Sequence, residues 1–296
     1  MTVFIGMPER TSGLIRGIQI AQRLPNSRFI SANDHWNIMN NISNETVIFI
    51  RQIDERYAKH LKNKNCRVGY DLLDRPVADH HNDWKSGNKK DLDWSRYKSN
   101  QIDFIIVNNT LTKVKMMEFY QQNQIYVIPH HHVNFRKDRR DNNKKIETIG
   151  YIGTADQMLL QDEVQDFCNR KNLKFLCSHP NTVDECNSAL QKIDVGVIFI
   201  DDDGYKDYVL KYKPNTKLSN FQSYGIPTVS CKYSSFFEFG RKDLWLPAND
   251  KADFMEKLNW LIETKNFYDD VSSESYTHSS KLHIDEVIKD YYLQFT

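Results

Sequence analysis

Residues 213–230, with the sequence KPNTKLSNFQSYGIPTVS, combine cationic side chains with the expected start of a short helix. Asn215 or Thr216 can serve as the N-cap of this helix, because a side-chain oxygen at that position accepts a hydrogen bond from a free backbone N–H group. The helix start is flanked by Lys213 and Lys217, which add positive charge to that of the helix dipole. This combination predicts an anion site, and a diphosphate is the natural occupant.

The end of the same helix is also marked in the sequence. Gly225 suits the left-handed residue that ends a helix, and Pro227 prevents the helix from continuing. We therefore predict a helix over Thr216–Tyr224 and a buried strand over Thr228–Cys231.

Short apolar runs alternate with helical patterns along both halves of the chain, which is typical of parallel sheets covered on both faces. Two such series predict an α/β fold with two Rossmann-like, doubly wound domains that bind ligands at the carboxyl ends of their strands. The predicted strands are Val3–Ile5, Arg28–Ser31, Val47–Ile50, Arg67–Leu72, Phe104–Val107, Ile125–Ile128, Thr148–Ile152, Phe175–Ser178, Val195–Ile200, Thr228–Cys231 and Leu244–Leu246. The predicted helices are Gly13–Leu24, Glu55–Lys62, Thr112–Gln122, Leu160–Lys171, Val183–Ala189, Thr216–Tyr224 and Lys251–Ile262.

A polar, highly charged run over residues 135–145 separates the two series, as a linker between domains would. It predicts a first domain over residues 1–140 and a second over residues 141–280, and a solvated loop inside one domain is the alternative. The tail over residues 281–296 has an amphipathic helical pattern. A second polar stretch, Asp79–Ser99, is predicted to be a long functional or mobile loop.

The composition excludes several classes of protein. The chain has 296 residues, of which 40% are hydrophobic and 27% charged, as in soluble globular proteins. Its formal net charge of +1 argues against a dedicated nucleic-acid-binding protein. The five cysteines form no C-x-x-C pair, which favours reduced thiols. No signal peptide or membrane span is visible, so we expect a cytoplasmic protein, with peripheral contact to a membrane left open.

The run KPNTKLSNFQSYGIPTVS resembles the nucleotide-sugar motif in the C-terminal domain of GT-B glycosyltransferases, of the kind found in the family 4-like donor-binding domain. Residues Ile149–Thr154 look like the strand and glycine turn that open that domain, and residues 253–262 look like the helix after the motif. The resemblance implies two domains facing across a cleft, with a last helix that returns to the first domain. It also implies transfer of a sugar from a nucleotide-diphosphate-sugar donor to a hydroxyl acceptor on a glycan or glycoconjugate.

Within this resemblance the second domain binds the donor, and the implied donor-binding residues are Gly153, Thr154, Asn215, Thr216 and Asn220. Asn220 occupies a position where the family commonly has a glutamate that contacts the ribose, and its amide can still hydrogen-bond a ribose hydroxyl. Lys213 and Lys217 would act in catalysis by stabilising charge on the departing diphosphate. No metal and no other cofactor is therefore expected.

The acceptor side is expected in the first domain. Ser12 and Gly13 resemble the small residues that let a ligand approach the first helix, and Arg16 could bind the acceptor. A plain strand-to-helix turn is the alternative reading of this segment. Three adjacent histidines, His130–His132, point in different directions and make a poor zinc site. His131 is a further acceptor-side candidate, and a solvated or packing role is the alternative.

A catalytic base can be sought after the second predicted strand, where the carboxylate of Asp34 could deprotonate an acceptor hydroxyl. Asp71 or Asp74 could do the same, and the residue types alone do not choose among the three.

Besides a sugar-nucleotide epimerase on the same fold, two rival functions remain open. Asp201 and Asp203 follow an apolar strand, as do the carboxylates that hold a divalent metal in GT-A glycosyltransferases, so a metal-dependent transferase is one alternative. A non-catalytic nucleotide-sugar-binding protein of the GT-B shape is the other, because the usual glutamate is absent.

Overall fold

The computed structural model describes residues 1–85, 92–134, 145–153, 158–180, 182–200 and 206–295. The chain divides into two compact units. Unit 1 comprises Met1–His131, Tyr212–Pro214 and Ile284–Thr296, and unit 2 comprises His132–Lys211 and Asn215–His283. Most of the charged run between the two predicted series, residues 135–144, lies outside the described residues.

The described part of unit 1 contains a six-stranded sheet in which every pairing is parallel, with the order β2-β1-β3-β4-β5-β6. Its apolar runs are buried because helices cover both faces of a doubly wound sheet. The strands are β1 (Thr2–Gly6), β2 (Ser27–Ser31), β3 (Thr46–Ile50), β4 (Arg67–Asp71), β5 (Phe104–Val107) and β6 (Ile125–Val127).

The helices of unit 1 follow the strands in alternation. The first, α1 (Thr11–Gly13), continues through a π-helical segment (Leu14–Ile18) into α2 (Gln19–Ala21). The others are α3 (His35–Asn40), α4 (Glu55–Asn63), α5 (Arg75–Lys85), α6 (Thr110–Met116) and α14 (Ile284–Phe295), with single 3-10 turns at Trp94–Tyr97 and Gln122–Gln124.

Helix α14 completes the core of unit 1 although it comes from the end of the chain. The ring of Phe295 stacks on Phe104 with ring centroids 4.7 Å apart, and Tyr291 is fully buried. The hydroxyl of Thr2 donates a hydrogen bond of 3.1 Å to the carbonyl of Phe295, which ties the helix to the first strand. The amphipathic pattern of the tail is explained by this packing.

The described part of unit 2 contains a five-stranded parallel sheet with the order β11-β10-β9-β7-β8. The predicted α/β class with parallel sheets is therefore confirmed in both units. The strands are β7 (Thr148–Ile152), β8 (Lys174–Ser178), β9 (Val195–Ile198), β10 (Thr228–Cys231) and β11 (Leu246–Ala248). The helices are α7 (Gln161–Lys171), α8 (Val183–Leu190), α9 (Lys206–Tyr212), α10 (Thr216–Ser223), α11 (Ser234–Phe239), α12 (Lys251–Glu263) and α13 (Lys265–Ser279), followed by a 3-10 turn at Ser280–Leu282.

The prediction of a long loop over Asp79–Ser99 is wrong at both ends, because residues up to Lys85 belong to α5 and a 3-10 turn follows at Trp94–Tyr97. The polar helix is stabilised by an ion pair of 2.8 Å between Arg75 and Asp79, one helical turn apart. Asp79 also accepts a hydrogen bond of 3.0 Å from the hydroxyl of Tyr97, which connects the helix to the turn.

All five cysteines are free thiols. None of the described helices combines the length and the apolar character needed to cross a membrane.

Candidate active site

The carboxyl edge of the unit 2 sheet has the geometry of a ligand site. Strand β7 lies between β8 and β9, so the chain proceeds to one side of β7 and then to the other. Ligands of open α/β sheets bind at such a reversal, outside the carboxyl ends of the strands. Helix α10 precedes the parallel strand β10, so its N-terminus lies at the same edge.

Gly153 follows β7 directly and has a backbone conformation that favours glycine. Its φ angle is +146°, and its N–H donates a hydrogen bond of 2.9 Å to the carbonyl of Ser178 at the end of β8. A Cβ atom on Gly153 would lie 2.7 Å from the hydroxyl oxygen of Tyr151. Glycine is therefore required here, because the space that a side chain would occupy is filled by neighbouring residues of unit 2.

Lys217, in the first turn of α10, lies beside Gly153. A Cβ atom on Gly153 would lie 2.8 Å from Cε of Lys217, and the ammonium nitrogen lies 5.3 Å from the ring centroid of Tyr151. The contact of an ammonium group with an aromatic face is a cation–π interaction. Two separate predictions, the glycine turn and the lysine-bearing helix, therefore converge on one place in unit 2. Tyr151 was missed from the sequence, although its place two residues before Gly153 on the same strand could have indicated it.

The first turn of α10 has the predicted cap residue but not the predicted capping bond. Asn215 is the N-cap and is 1% exposed, yet its side chain makes no capping hydrogen bond to the helix. Its carbonyl accepts the backbone N–H of Ser219 at 3.0 Å. Thr216 and Lys217 are half-buried. The first backbone N–H groups of the helix are thus not capped by Asn215, which is compatible with an anion binding there.

Asn220 lies one helical turn after Lys217 and is half-buried. Residues three apart share a helix face, so Asn220 and Lys217 are neighbours on the surface of α10. The two residues predicted to contact the donor on α10 therefore share one face of the helix.

The C-terminal end of α10 fixes the helix in its position. Gly225 has a φ angle of +66°, its N–H donates to the carbonyl of Gln222 at 2.9 Å, and the N–H of Ile226 donates to that of Phe221 at 3.0 Å. These two bonds define a Schellman motif, which satisfies the last carbonyls of the helix. On β9, a Cβ atom at Gly196 would lie 2.8 Å from the Phe221 ring, so glycine there permits close packing of helix and sheet.

One residue predicted for the donor side belongs to unit 1, and three predicted for the donor or for a metal lie outside the described residues. Lys213 belongs to the segment Tyr212–Pro214 of unit 1, where the side-chain amide of Asn108 donates a hydrogen bond of 3.0 Å to the carbonyl of Tyr212. Thr154, Asp201 and Asp203 lie outside the described residues. Among the residues that are described, no group of three or more His, Cys, Asp and Glu side chains could hold a metal ion.

In unit 1, Asp34 is the N-cap of α3. Its carboxylate accepts the backbone N–H of Asn37 at 3.1 Å and the side-chain amide of Asn37 at 2.5 Å. These hydrogen bonds, first that of the side chain and then that of the backbone, hold the pKa of Asp34 below its ordinary value. A lowered pKa stabilises the carboxylate and makes it a weaker base.

Arg16 is completely buried and makes an ion pair of 2.8 Å with Asp71, which is also buried. A second nitrogen of its guanidinium donates to the carbonyl of Pro129 at 2.8 Å. Burial raises the pKa of Asp71, and the charge of Arg16 opposes that effect. In this arrangement Arg16 connects the first helix, β4 and the end of β6, and no part of its side chain reaches solvent.

The small residues before Arg16 differ in their environments. Gly13 is buried, and a Cβ atom there would lie 2.0 Å from the carbonyl oxygen of Met7, so glycine is needed for the turn itself. Ser12 is half-buried. His131 is buried, and its Nε2 lies 2.8 Å from the amide oxygen of Gln19 on α2.

No protein-family model matches the sequence, and a search of curated proteins found no significant match. Among solved structures, the chain is similar to HepE from Anabaena in complex with UDP and glucose, with 9% identity, a TM-score of 0.64 and coverage of 98% of this chain and 97% of HepE. A glycosyltransferase from Rickettsia africae is 10% identical over 99% of this chain and 97% of its own, with a TM-score of 0.63. TarM from S. aureus is 11% identical over 88% of this chain and 58% of its own, with a TM-score of 0.60.

These neighbours are GT-B glycosyltransferases. At such low identity the likeness concerns the fold, and the chain has the fold class of the GT-B glycosyltransferases. The resemblance first seen in residues 213–230 is thereby confirmed at the level of the fold.

Proposed function

We propose that the protein is a glycosyltransferase that transfers a sugar from a nucleotide-diphosphate-sugar donor to a hydroxyl group of a glycan or glycoconjugate. The observation that carries this proposal is the convergence of Lys217 and Gly153 at the carboxyl edge of the unit 2 sheet. The fold supports it, since HepE of the same fold was crystallised with UDP-glucose and TarM with UDP.

In the proposed complex, the diphosphate lies at the start of α10, where backbone N–H groups and Lys217 stabilise its charge. Asn220 would hydrogen-bond the ribose, while Gly153 leaves room for Lys217 and Tyr151 beside the donor. Asn215, Thr216 and Thr154 complete the proposed donor-side set.

The reaction forms a bond between the acceptor oxygen and the anomeric carbon of the donor sugar. The bond from that carbon to the diphosphate oxygen breaks, and the diphosphate leaves with the bonding electron pair. The hydroxyl proton passes to a base. Stabilisation of the charge on the leaving diphosphate is the part of this reaction for which Lys217 is suited.

Asp34 is the proposed base. Because it also caps α3, the test needs a variant that separates the capping role from the role as a base. Asp34→Ser retains an N-cap oxygen but removes the carboxylate. A base that accepts the proton directly contributes on the order of 100-fold or more to the rate, whereas a cap contributes only to stability. Because both capping bonds lower the pKa of Asp34, its carboxylate is ionised and able to accept the proton, and we expect Asp34→Ser to lower kcat about 100-fold or more at an unchanged melting temperature. A variant that keeps most of the activity would refute the assignment of the base to Asp34.

Nucleotide binding is the first test of the proposal. Thermal melting of the full chain would be measured with UDP, GDP, ADP and CMP, because a ligand that binds only the native state raises the melting temperature. We expect one diphosphate nucleotide to raise it and CMP to have a smaller effect. If none of the four does so, the proposal fails.

We also propose that the reaction needs no metal, since Lys217 and the helix N-terminus supply positive charge to the diphosphate. Release of nucleoside diphosphate would be followed with and without EDTA. Equal rates are expected, and loss of activity that Mg²⁺ or Mn²⁺ restores would instead favour the metal-dependent alternative with Asp201 and Asp203.

A further inference from the structure

Unit 1 contains a cavity of about 860 Å³ that the proposed donor site does not use. It lies at the carboxyl ends of β1, β2, β3 and β4, with Met7, Asn33, Arg51 and Arg75 among its lining residues. In the sheet order β2-β1-β3-β4, the chain places β2 on one side of β1 and then β3 on the other side. The cavity is therefore at the switch point of this sheet, where α/β proteins bind ligands.

The lining is cationic and aromatic. Five cationic side chains and three carboxylates line it, namely Arg51, Arg56, Arg75, Arg96 and Lys98 with Asp54, Glu55 and Asp79, and Arg96 is itself paired with Asp83 at 2.7 Å. The carboxylates of Asp54 and Asp79 are already bound at 2.8 Å by Arg56 and Arg75. Tyr70, Tyr97 and the ring pair of His35 and Tyr57, 5.5 Å apart, add aromatic groups with polar edges.

Arg51 differs from the other arginines because its guanidinium is only loosely paired. Its Nε lies 3.4 Å from a carboxylate oxygen of Asp74 and makes no hydrogen bond to any described residue. Its side chain is 23% exposed, and it lines the cavity. A guanidinium presents several fixed donors that match a carboxylate or a phosphate.

The backbone of Arg51 is strained and firmly held. Its φ angle is +64°, and the N–H of Gln52 donates to the carbonyl of Ile50 at 2.8 Å across it, which forms a γ-turn. The N–H of Arg51 donates to the carbonyl of Asp71 at 2.8 Å, and its own carbonyl accepts the hydroxyl of Tyr70 at 3.0 Å. Such over-determined strain is concentrated at functional sites.

From this cavity we infer that unit 1 binds an anionic saccharide, one that bears a carboxylate or a phosphate, and that Arg51 is the residue that selects the anionic group. The inference rests on the proposed function, since the saccharide would be the acceptor of the transferred sugar. Aromatic rings would contact the faces of the sugar, and the Arg51 guanidinium would pair with its charge.

The test measures binding of four probes to the full chain by calorimetric titration at low salt. Methyl β-D-glucuronide and glucose 6-phosphate carry the two kinds of anion, methyl β-D-glucoside is the neutral control, and inorganic phosphate is an anion without a sugar. We expect at least one anionic saccharide to bind about tenfold more tightly than the glucoside and than inorganic phosphate, as one charge-assisted hydrogen bond would give. The tighter of the two identifies the anion.

Two variants assign the selection to Arg51. Arg51→Gln should weaken binding of the anionic saccharide about tenfold and leave the glucoside unchanged. Arg51→Gly should do the same, and it should fold readily because glycine adopts the positive φ angle without strain. The matched control is Arg28→Gln, whose arginine pairs with Glu45 and does not line the cavity.

Equal affinity for anionic and neutral saccharides, or no effect of either Arg51 variant, would overturn the inference. Binding of inorganic phosphate as tight as that of the sugar phosphate would reduce the cavity to a simple anion site and overturn it as well. UDP is titrated in parallel. UDP binding without preference for anionic saccharides refutes this inference alone, whereas anionic preference without any nucleotide binding refutes the proposed function alone.

Discussion

His132 of unit 2 is held as a neutral ring by its surroundings. Its Nε2 lies 2.8 Å from the carbonyl of Ser279 and must donate to it, while Nδ1 is buried without a hydrogen-bond partner among the described residues. Burial, and to a smaller extent the charge of nearby His283, lowers the pKa of His132 to about 4, against the opposing effect of the Ser279 hydrogen bond. A second proton would charge a buried ring and leave its new N–H without an acceptor.

This environment predicts a dependence of stability on pH. The unfolded state binds a proton near pH 6.5 and the folded state only near pH 4, so the free energy of unfolding should fall as the pH is lowered through that range. The contribution is on the order of 3 kcal/mol. His132→Gln keeps a donor to the Ser279 carbonyl but cannot titrate, so its urea unfolding should vary less between pH 7 and pH 4.5. Equal slopes for the two proteins would refute this explanation.

Single residues also show where prediction from the sequence stops. Lys217 and Gly153 were predicted from local patterns, a helix start and a strand-to-turn transition, which neighbouring residues in the chain determine. Arg16 was predicted to face a ligand, whereas it is buried against Asp71, 55 residues further along the chain. Residue types and local spacing do not reveal which distant charge a buried arginine will meet.

Among the elements, the end of α10 determines how the chain continues from this helix into β10. Gly225 has a φ angle of +66°, and a Cβ atom there would lie 2.9 Å from the backbone carbonyl oxygen of Ser272 on α13. Gly225→Ala should therefore lower the free energy of unfolding by at least about 1–2 kcal/mol, the cost of a left-handed residue with a side chain. Asn172→Gly is the control, since Asn172 ends α7 with a φ of +54° and glycine should be neutral there. Urea unfolding measures both, and a neutral Gly225→Ala would contradict the packing described.

Most strands were predictable because each contains a short apolar run whose signal lies in the run itself. Strand β11, Leu246–Ala248, overlaps the predicted strand Leu244–Leu246 only at Leu246. The part of α5 from Asp79 onwards was predicted as loop because its residues are polar. The helix is supported by the Arg75–Asp79 ion pair and by Tyr97, 18 residues beyond Asp79. Helix α13 was missed, since its buried face includes Ser272 and Ser275, which do not form an apolar pattern.

At the scale of the whole molecule, unit 1 depends on both ends of the chain. Phe295 is 4% exposed and stacks on Phe104, whereas Leu293, two residues earlier on the same helix, is 76% exposed. Phe295→Ala should lower the free energy of unfolding by about 3–5 kcal/mol, as for other buried phenylalanines. Leu293→Ala should change it by less than about 0.5 kcal/mol. Chemical denaturation followed by circular dichroism distinguishes them, and similar effects of the two variants would argue against the packing of α14 on unit 1.

The central claim is that the start of α10 in unit 2 binds the diphosphate of a nucleotide, and calorimetric titration with UDP tests it most directly. Lys217→Met removes the ammonium group beside Gly153, and Lys174→Met makes the same change at the amino edge of the same sheet, where Lys174 begins β8 and is exposed. The account predicts UDP binding by the unchanged protein, an affinity about tenfold lower for Lys217→Met, and no change for Lys174→Met. Absence of UDP binding, or equal affinities of the two variants, would contradict it.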